Sequence, residues 1–204
     1  MTDYLRDPKA IYARSFEIIA AEADLSRLPS TAWPIARRSI HACGMTDIVG
    51  DLRITPDFAA AARSAIRDGR PILVDAEMVR HGIIGHGANV VCMLNDPRAR
   101  DLGIATGTTR SAASVSFWRP HLDGAVVAIG NAPTALFALL ELIDSGAPRP
   151  AAIAAFPVGF VGAAESKAEL DANPRGIAHA TALGRRGGSA MAAAAINALT
   201  RDET

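Results

Sequence analysis

The residue types best suited to acid–base chemistry lie together at 37–45, where the sequence reads Arg-Arg-Ser-Ile-His-Ala-Cys-Gly-Met. An imidazole exchanges protons near neutral pH, and guanidinium groups bind carboxylates. Arg37 and Arg38 precede His41 by four and three residues, so a helix would carry all three side chains on one face. The stretch could therefore exchange protons with a carboxylate-bearing substrate. A surface helix end with a solvated arginine pair has the same spacing, and spacing alone favours that simpler interpretation.

The surrounding sequence predicts that this stretch ends a helix. Thr31 is a candidate N-cap, Pro34 falls in the first turn, and Gly44 follows the last turn. The C-terminus of such a helix favours the charged imidazolium of His41, whereas the neighbouring arginines oppose it. A bound polyanion would neutralise the arginines and so favour the imidazolium.

Composition limits the classes of partner. The 204 residues are enough for one domain with a sizeable core, which we predict to span 1–204. Hydrophobic residues make up 50% of the chain, yet no apolar run reaches the roughly 20 residues of a membrane span. Lys plus Arg and Asp plus Glu are equal at 21 each, and aromatic residues contribute only 5%. We therefore expect no nucleic-acid partner and no membrane association, and local arginines must bind any anionic ligand.

The cysteine content bears on the compartment and on metals. Cys43 and Cys92 are too few for a disulfide framework, and the N-terminus lacks the order of a secretory signal, so we expect a reducing cytoplasm. Cys43 follows His41 by two residues, but no other Cys/His pair has zinc-ligand spacing. The sequence therefore predicts no metal site.

Helical signals dominate residues 1–70. One helix is predicted to begin at Asp7, with an apolar stripe that one small polar residue interrupts: Tyr12, Ser15, Phe16 and Ile19. Ser15 is either tolerated in that helix or donates a hydrogen bond to a ligand. A further helix is predicted over 55–69, where a run of alanines allows close packing.

From residue 71 onward, short apolar runs alternate with helical stretches. The runs are 72–74, 90–94, 125–129, 152–156 and 177–183. Continuous aliphatic runs are typical of strands buried on both faces, and their alternation with helices favours a parallel sheet. We predict an α/β fold, a three-layer α/β/α sandwich with a mainly parallel sheet of about five strands. The N-terminal helical segment, residues 1–70, is expected to pack on an α/β core at 71–200.

Ligands of such sheets bind beyond the carboxyl ends of the strands. The loops there are rich in glycine and polar residues, which let backbone amides approach a ligand: 75–78, 95–97, 130–134, 157–162 and 184–189. Tight turns explain one or two of these loops, and less readily all of them. None matches Gly-x-Gly-x-x-Gly, Gly-x-x-x-x-Gly-Lys-Ser/Thr or Gly-x-Ser-x-Gly, so a dinucleotide enzyme, a P-loop enzyme or a serine hydrolase is not indicated.

Three charged side chains in this region of the chain are further candidates. Arg110 stands at the predicted start of a helix, where it could bind a carboxylate bidentately or remain a solvated surface charge. Asp75 and Glu77 share one strand-end loop and could form a general acid/base pair. We favour a positioning role through hydrogen bonds for them, because acids would repel an anionic substrate.

Two long segments are far more specific than a lone glycine motif. They are Ala-Ile-Gly-Asn-Ala-Pro-Thr-Ala-Leu-Phe at 128–137 and Pro-Val-Gly-Phe-Val-Gly-Ala-Ala-Glu-Ser-Lys at 157–167. Together with shorter segments at 10–16, 75–79 and 185–190, they resemble the precorrin-8X methylmutase family of cobalamin biosynthesis. The resemblance covers nearly the whole chain, in the order of the family.

This resemblance implies a homodimeric isomerase that moves a methyl group from C-11 to C-12 of a corrin ring. The substrate would be the tetrapyrrole precorrin-8X and the product hydrogenobyrinic acid, or cobalt-precorrin-8 giving cobyrinic acid. No organic cofactor or catalytic metal is implied. In this family pattern His41 matches the catalytic proton donor and acceptor, while Ser15, Arg38 and Arg110 match substrate-binding residues.

The loop 81–89 departs from the family pattern. It looks shorter and poorer in arginine than in many relatives, which affects the contacts expected over one edge of the tetrapyrrole. Two alternative functions also fit the sequence. A non-catalytic corrinoid-binding carrier would need the same binding residues. A phosphate- or nucleotide-binding α/β enzyme could use the same glycine-rich loops. Substrates with and without cobalt both fit the sequence.

Overall fold

Six strands form one sheet in the computed structural model, which describes residues 2, 4–84 and 89–199. The strands are Leu52–Ile54 (β1), Ile72–Val74 (β2), Val90–Cys92 (β3), Val126–Ile129 (β4), Ala152–Ala155 (β5) and Ala178–Ala182 (β6). The sheet order is β1-β6-β5-β4-β2-β3. Strands β2 to β6 pair in parallel, and β1 pairs antiparallel with β6. The five predicted apolar runs all form strands, which confirms the mainly parallel sheet.

The helices connect and cover these strands. They are Pro8–Glu22 (α1), Trp33–Cys43 (α2), Phe58–Arg67 (α3), Glu77–Gly82 (α4), Pro97–Thr106 (α5), Arg110–Val115 (α6), Pro133–Asp144 (α7), Ala163–Ala172 (α8) and Ser189–Asn197 (α9). Short 3-10 turns lie at Ser30–Ala32, Thr46–Gly50 and Ser116–His121. In the described portion of the chain, no helix is sufficiently long and apolar to cross a membrane.

The two faces of the sheet carry separate apolar clusters. Alternate residues of β4 show this, since Val126 and Ala128 belong to one cluster and Val127 and Ile129 to the other. The first face is covered by α1, α2, α3, α4 and α9, and the second by α6, α7 and α8. The predicted three-layer α/β/α arrangement is thus confirmed.

Strand β1 is the element that the sequence does not predict. Its three residues, Leu-Arg-Ile, lie within 1–70, where helical signals dominate. Leu52 and Ile54 are buried and Arg53 is exposed, as expected for an edge strand that alternates. Three residues are too few for such an alternation to stand out. The N-terminal segment therefore extends the sheet as well as covering one of its faces.

The direction in which the chain adds strands across the sheet reverses between β2 and β4. The chain proceeds outward from β2 to β3, then returns to β4 and continues through β5 to β6. Such a reversal opens a crevice at the carboxyl ends of the two central strands, where α/β proteins bind ligands. Asp75 directly follows β2 and Gly130 directly follows β4, so both lie at the strand ends where this reversal occurs.

The loop 81–89, which departs from the family pattern, is described only in part. Helix α4 ends at Gly82 and β3 begins at Val90. Residues 85–88 lie outside the described residues, and so does the expectation about substrate contacts there.

Candidate active site

Two helices bring Ser15 and His41 together. The Asp7 carboxylate accepts a hydrogen bond from the Ala10 backbone N–H (2.8 Å) and starts α1, the helix of Ser15. Gly44 adopts the left-handed conformation (φ 69°) that ends α2 just after His41. Ser15 Oγ lies 2.9 Å from His41 Nδ1. This contact fixes the imidazole and leaves Nε2 as the ring nitrogen that can face a ligand.

Aromatic rings enclose the imidazole on the α1 side. The Phe16 ring stacks on His41 with centroids 5.2 Å apart and an interplanar angle of 16°. The Tyr12 ring lies 5.8 Å from His41 and 4.7 Å from Phe16. Tyr12 and Phe16 are four residues apart, so both project from the face of α1 that meets α2. The ring packing and the Ser15 contact together hold the imidazole in one orientation.

Arg38 belongs to the same cluster, whereas Arg37 does not. The Arg38 guanidinium carbon lies 5.1 Å from the Tyr12 ring centroid and 5.5 Å from that of Phe16. The Arg37 guanidinium lies over Trp33 instead, at 6.0 Å, and its buried Nε has no partner among the described residues. Within the described portion of the chain no carboxylate forms an ion pair with Arg38. The predicted His41 face therefore carries one arginine rather than two.

The predicted cap of α2 was wrong. Thr31 Oγ1 donates a hydrogen bond to the Pro56 carbonyl oxygen (2.9 Å), which ties α2 to the turn before α3. The N-cap position belongs to Ala32, which makes no side-chain cap, because the preceding 3-10 turn leads directly into the helix.

Asp75 has a positioning role at the carboxyl ends of β2 and β4. It is fully buried, and its carboxylate accepts hydrogen bonds from the backbone N–H groups of Gly130 (2.9 Å), Asn131 (3.0 Å) and Ala132 (2.7 Å). Burial raises the pKa of Asp75, and the three N–H donors act against that shift. Because all three donors come from the loop after β4, Asp75 fixes that loop against the end of β2.

Glu77 is engaged in ion pairs rather than paired with Asp75. Its carboxylate lies 3.2 Å from Arg80 Nη1, 3.7 Å from His81 Nε2 and 3.5 Å from Asn95 Nδ2. The positioning role that we favoured for these two acids fits this geometry better than a general acid/base pair.

Arg110 begins α6, a helix of the layer that covers the second face of the sheet. Thr109 caps α6 by accepting a hydrogen bond from the Ala112 N–H (3.1 Å), and its Oγ1 lies 2.7 Å from Thr134 Oγ1 at the start of α7. This contact places Arg110, the first residue of α6, near the loop after β4. The structure thus brings Ser15, Arg38 and His41 together, and it places Arg110 at the start of a helix on the other face of the sheet.

Close contacts and hydrogen bonds hold the loops after β5 and β6 against each other. The spacing of residues in the sequence did not predict this arrangement. A Cβ on Gly187 would collide with the Phe156 carbonyl oxygen and lie 2.7 Å from that of Pro157, so only glycine fits there. The Gly188 N–H donates to the Phe156 oxygen at 2.8 Å. Lys167 is fully buried, and its Nζ donates to the Arg186 carbonyl oxygen at 2.5 Å. Burial lowers the pKa of Lys167 to about 8.

A signal for the buried lysine was present in the sequence. The buried residues of α8 follow helical spacing, namely Ala163, Ser166, Lys167 and Leu170. This spacing placed Lys167 on the core side of its helix, where an ammonium needs a carbonyl or carboxylate partner.

Burial makes Cys92 a poor candidate for a nucleophile. Burial raises the pKa of Cys92 to about 11, so its thiol stays protonated at neutral pH. Within the described residues no group of three or more His, Cys, Asp or Glu side chains is arranged to hold a metal ion.

Comparison with known proteins identifies the family. The family model described as precorrin-8X methylmutase matches residues 10–202. The chain belongs to the precorrin-8X methylmutase family. It is 53% identical over 206 residues to the precorrin-8X methylmutase of Pseudomonas aeruginosa, an alignment that covers 99% of each chain. It is 35% identical over 198 residues to the cobalt-precorrin-8 methylmutase of Priestia megaterium, which covers 95% of this chain and 87% of the relative.

The fold of this methylmutase matches a solved structure as well. A crystal structure of precorrin-8X methylmutase from Thermus thermophilus superposes with a TM-score of 0.83 and 38% sequence identity, and covers 94% of both chains. The predicted family, the α/β fold and the isomerase activity in cobalamin biosynthesis are therefore confirmed.

Proposed function

We propose that this methylmutase converts precorrin-8X into hydrogenobyrinic acid by moving a methyl group from C-11 to C-12. The Ser15–His41 contact carries the proposal, since it presents one oriented imidazole with Nε2 directed away from the protein partner. A methyl shift around a conjugated ring moves σ and π electrons together and needs no nucleophile. The proton is therefore the component of the reaction that a side chain must manage.

The proton can return to the group that gave it. The His41 imidazolium donates from Nε2 to the macrocycle, the C-11–methyl bond breaks as the C-12–methyl bond forms, and Nε2 then takes a proton back. Throughout this cycle Nδ1–H can donate to Ser15 Oγ, because the hydroxyl oxygen accepts whether Nε2 is protonated or not. Substrate and product are isomers, so no net proton is consumed.

The two arginines are proposed to orient the polycarboxylate substrate. Arg38 lies beside His41 on the Tyr12 and Phe16 rings, and Arg110 begins α6 in the other helical layer. In this proposal each guanidinium binds a peripheral carboxylate, which sets the ring carbons at a fixed distance from His41 Nε2. Ser15 is close enough to His41 to contact the same substrate while it orients the imidazole.

The cobalt-free substrate is the form we propose. The relative at 53% identity is named for precorrin-8X, whereas the relative at 35% is named for cobalt-precorrin-8. The test is conversion of the two substrates in parallel, followed by visible absorption. Faster conversion of cobalt-precorrin-8 would contradict the choice of precorrin-8X.

A homodimer and a cytoplasmic location complete the proposal. Ile11 and Ile18 are seven residues apart on α1 and are 46% and 40% exposed, which supports burial of this face by a second copy. Sedimentation velocity of Ile18→Glu should show more monomer than the parent. The free thiols of Cys43 and Cys92 suit a reducing compartment.

A single-turnover experiment tests the function as a whole. Protein in excess over precorrin-8X should convert the substrate, and the visible spectrum should become that of hydrogenobyrinic acid. A carrier would bind the substrate and leave its spectrum that of bound precorrin-8X, which would contradict the proposed catalysis.

A further inference from the structure

Arg185 differs from Arg186, the arginine that follows it, in its ion pairs. Arg186 is held by two carboxylates, with Nη1 2.6 Å from Asp47 and Nη2 2.7 Å from Asp51. Among the described residues, no carboxylate pairs with Arg185. Its guanidinium carbon lies 5.5 Å from the ring centroid of Phe160, which is 84% exposed. The Phe160 ring and the Arg185 guanidinium thus face solvent together, and the guanidinium has no carboxylate partner among the described residues.

This pair lies at the edge of the sheet that carries the candidate active site. Phe160 follows β5 and Arg185 follows β6, and these strands are parallel neighbours, so their carboxyl ends meet at one edge. Arg186 also contacts Met45 Sδ at 3.9 Å, and Met45 directly follows Gly44, the residue that ends α2. The loop of Arg185 therefore lies beside the end of the helix that carries His41.

The backbone around the pair is fixed. The Gly159 N–H donates to the Arg185 carbonyl oxygen (3.2 Å), and Lys167 Nζ donates to the next carbonyl, that of Arg186. With the Arg186 ion pairs, these bonds hold the loops 157–162 and 184–188 against each other. The backbone that carries Phe160 and Arg185 consequently needs little ordering when a ligand binds.

We propose that Arg185 binds a further peripheral carboxylate of the tetrapyrrole and that the Phe160 ring packs against the macrocycle. This inference rests on the proposed function. A guanidinium that stacks on a ring keeps its edge donors available for a carboxylate, and an aromatic ring suits a flat conjugated ligand. Arg185 would then extend the contacts of Arg38 and Arg110 to a third side of the substrate.

The experiment uses hydrogenobyrinic acid as the probe, titrated by absorption at several salt concentrations. Arg185→Gln should bind it about 10-fold more weakly, the effect of one charge-assisted hydrogen bond, and its affinity should depend less on salt. Phe160→Ala should also weaken binding. The control is Arg119→Gln, an exposed arginine before β4 at the opposite edge of the sheet, which should bind as the parent does.

The possible results separate this inference from the proposed function. If the parent binds the probe and Arg185→Gln binds it equally tightly, the inference is wrong and the proposed function stands. If Phe160→Ala changes the sedimentation coefficient but not the affinity, the ring belongs to an interface between copies, and the inference is again wrong. If the parent itself neither binds nor converts corrinoids, the proposed function fails, and this inference fails with it.

Discussion

Ser15 Oγ lies 2.9 Å from His41 Nδ1, although the two residues are 26 positions apart and belong to different helices. One face of α1 thereby supplies the imidazole with both a hydrogen-bond partner and, through Phe16, a stacking partner. A histidine held in this way keeps one nitrogen for the protein and one for a ligand. Changes to the Ser15 hydroxyl, the neighbouring arginine and the loops that close the sheet edge should therefore have separate, measurable effects.

Ser15→Ala should lower kcat by roughly 2- to 13-fold, which corresponds to a hydrogen bond of about 0.5–1.5 kcal/mol. The imidazole would keep its Phe16 stacking but lose the partner that fixes Nδ1. Ser145→Ala, at an exposed serine after α7, is the control and should retain the parent kcat. An unchanged kcat in Ser15→Ala would show that the contact does not orient a catalytic group.

Arg38→Ala should weaken binding of hydrogenobyrinic acid by about 1.5–3 kcal/mol, the usual contribution of a hydrogen bond to a charged group. Arg38→Lys should restore only some of this loss, because an ammonium cannot form a bidentate contact. Equilibrium titration measures both effects, with Arg67→Ala at the exposed end of α3 as the control. Parent-like affinity in Arg38→Ala would remove Arg38 from the binding site.

Stability should rise with pH above about 8 because of Lys167. Burial lowers the pKa of this ammonium from 10.5 to about 8. Between these values the unfolded chain binds more protons than the folded protein, so increasing pH favours the folded state, by up to about 3 kcal/mol in the free energy of unfolding.

Urea unfolding of the parent and of Lys167→Met at pH 7 to 10 measures this effect. The free-energy difference between them should shift in favour of the parent as pH rises. Lys9→Met, at the other lysine of the chain, is exposed on α1 and should show no such trend. A difference that stays constant with pH would contradict the buried ammonium.

Gly187→Ala should destabilise the protein and weaken product binding together. The added methyl group would collide with the Phe156 carbonyl oxygen and lie 2.7 Å from that of Pro157, so the loops after β5 and β6 must separate. We expect a loss of about 2–4 kcal/mol in the free energy of unfolding. At Gly50 a Cβ would meet no described atom within 4 Å, so Gly50→Ala is the matched control. Equal melting temperatures of the two variants would contradict the close contact.

The parallel sheet could be predicted from the sequence because four of its five parallel strands are continuous apolar runs, and the fifth, β6, has apolar residues beside His179 and Thr181. Strand β1 could not, since it has three residues and depends on its pairing with β6. Helix ends were predictable where a local signal decides them, as at Asp7 and Gly44. Thr31 shows the limit, because its hydroxyl bonds to a carbonyl 25 positions away rather than to its own helix.

The sequence could indicate candidate residues for the site, but it could not indicate how they are arranged in space. Spacing placed Arg38 and His41 on one helix face, and it placed Ser15 on an apolar stripe. It could not show that this stripe packs on that face, because the packing of α1 on α2 is a tertiary contact. For the same reason, helical spacing predicted that Arg37 lies beside His41. In the structure the Arg37 guanidinium lies over the Trp33 ring instead.

The most direct measurement is the rate at which His41→Asn converts precorrin-8X, followed by the visible spectrum in single turnover. An amide can keep a hydrogen bond to Ser15 but cannot deliver a proton at neutral pH. The variant should fold and bind hydrogenobyrinic acid, because Arg38 and Arg110 remain. Its conversion rate should fall by roughly 10²–10⁴, the usual contribution of a positioned acid–base group. Conversion at close to the parent rate would contradict the assignment of the proton transfer to His41.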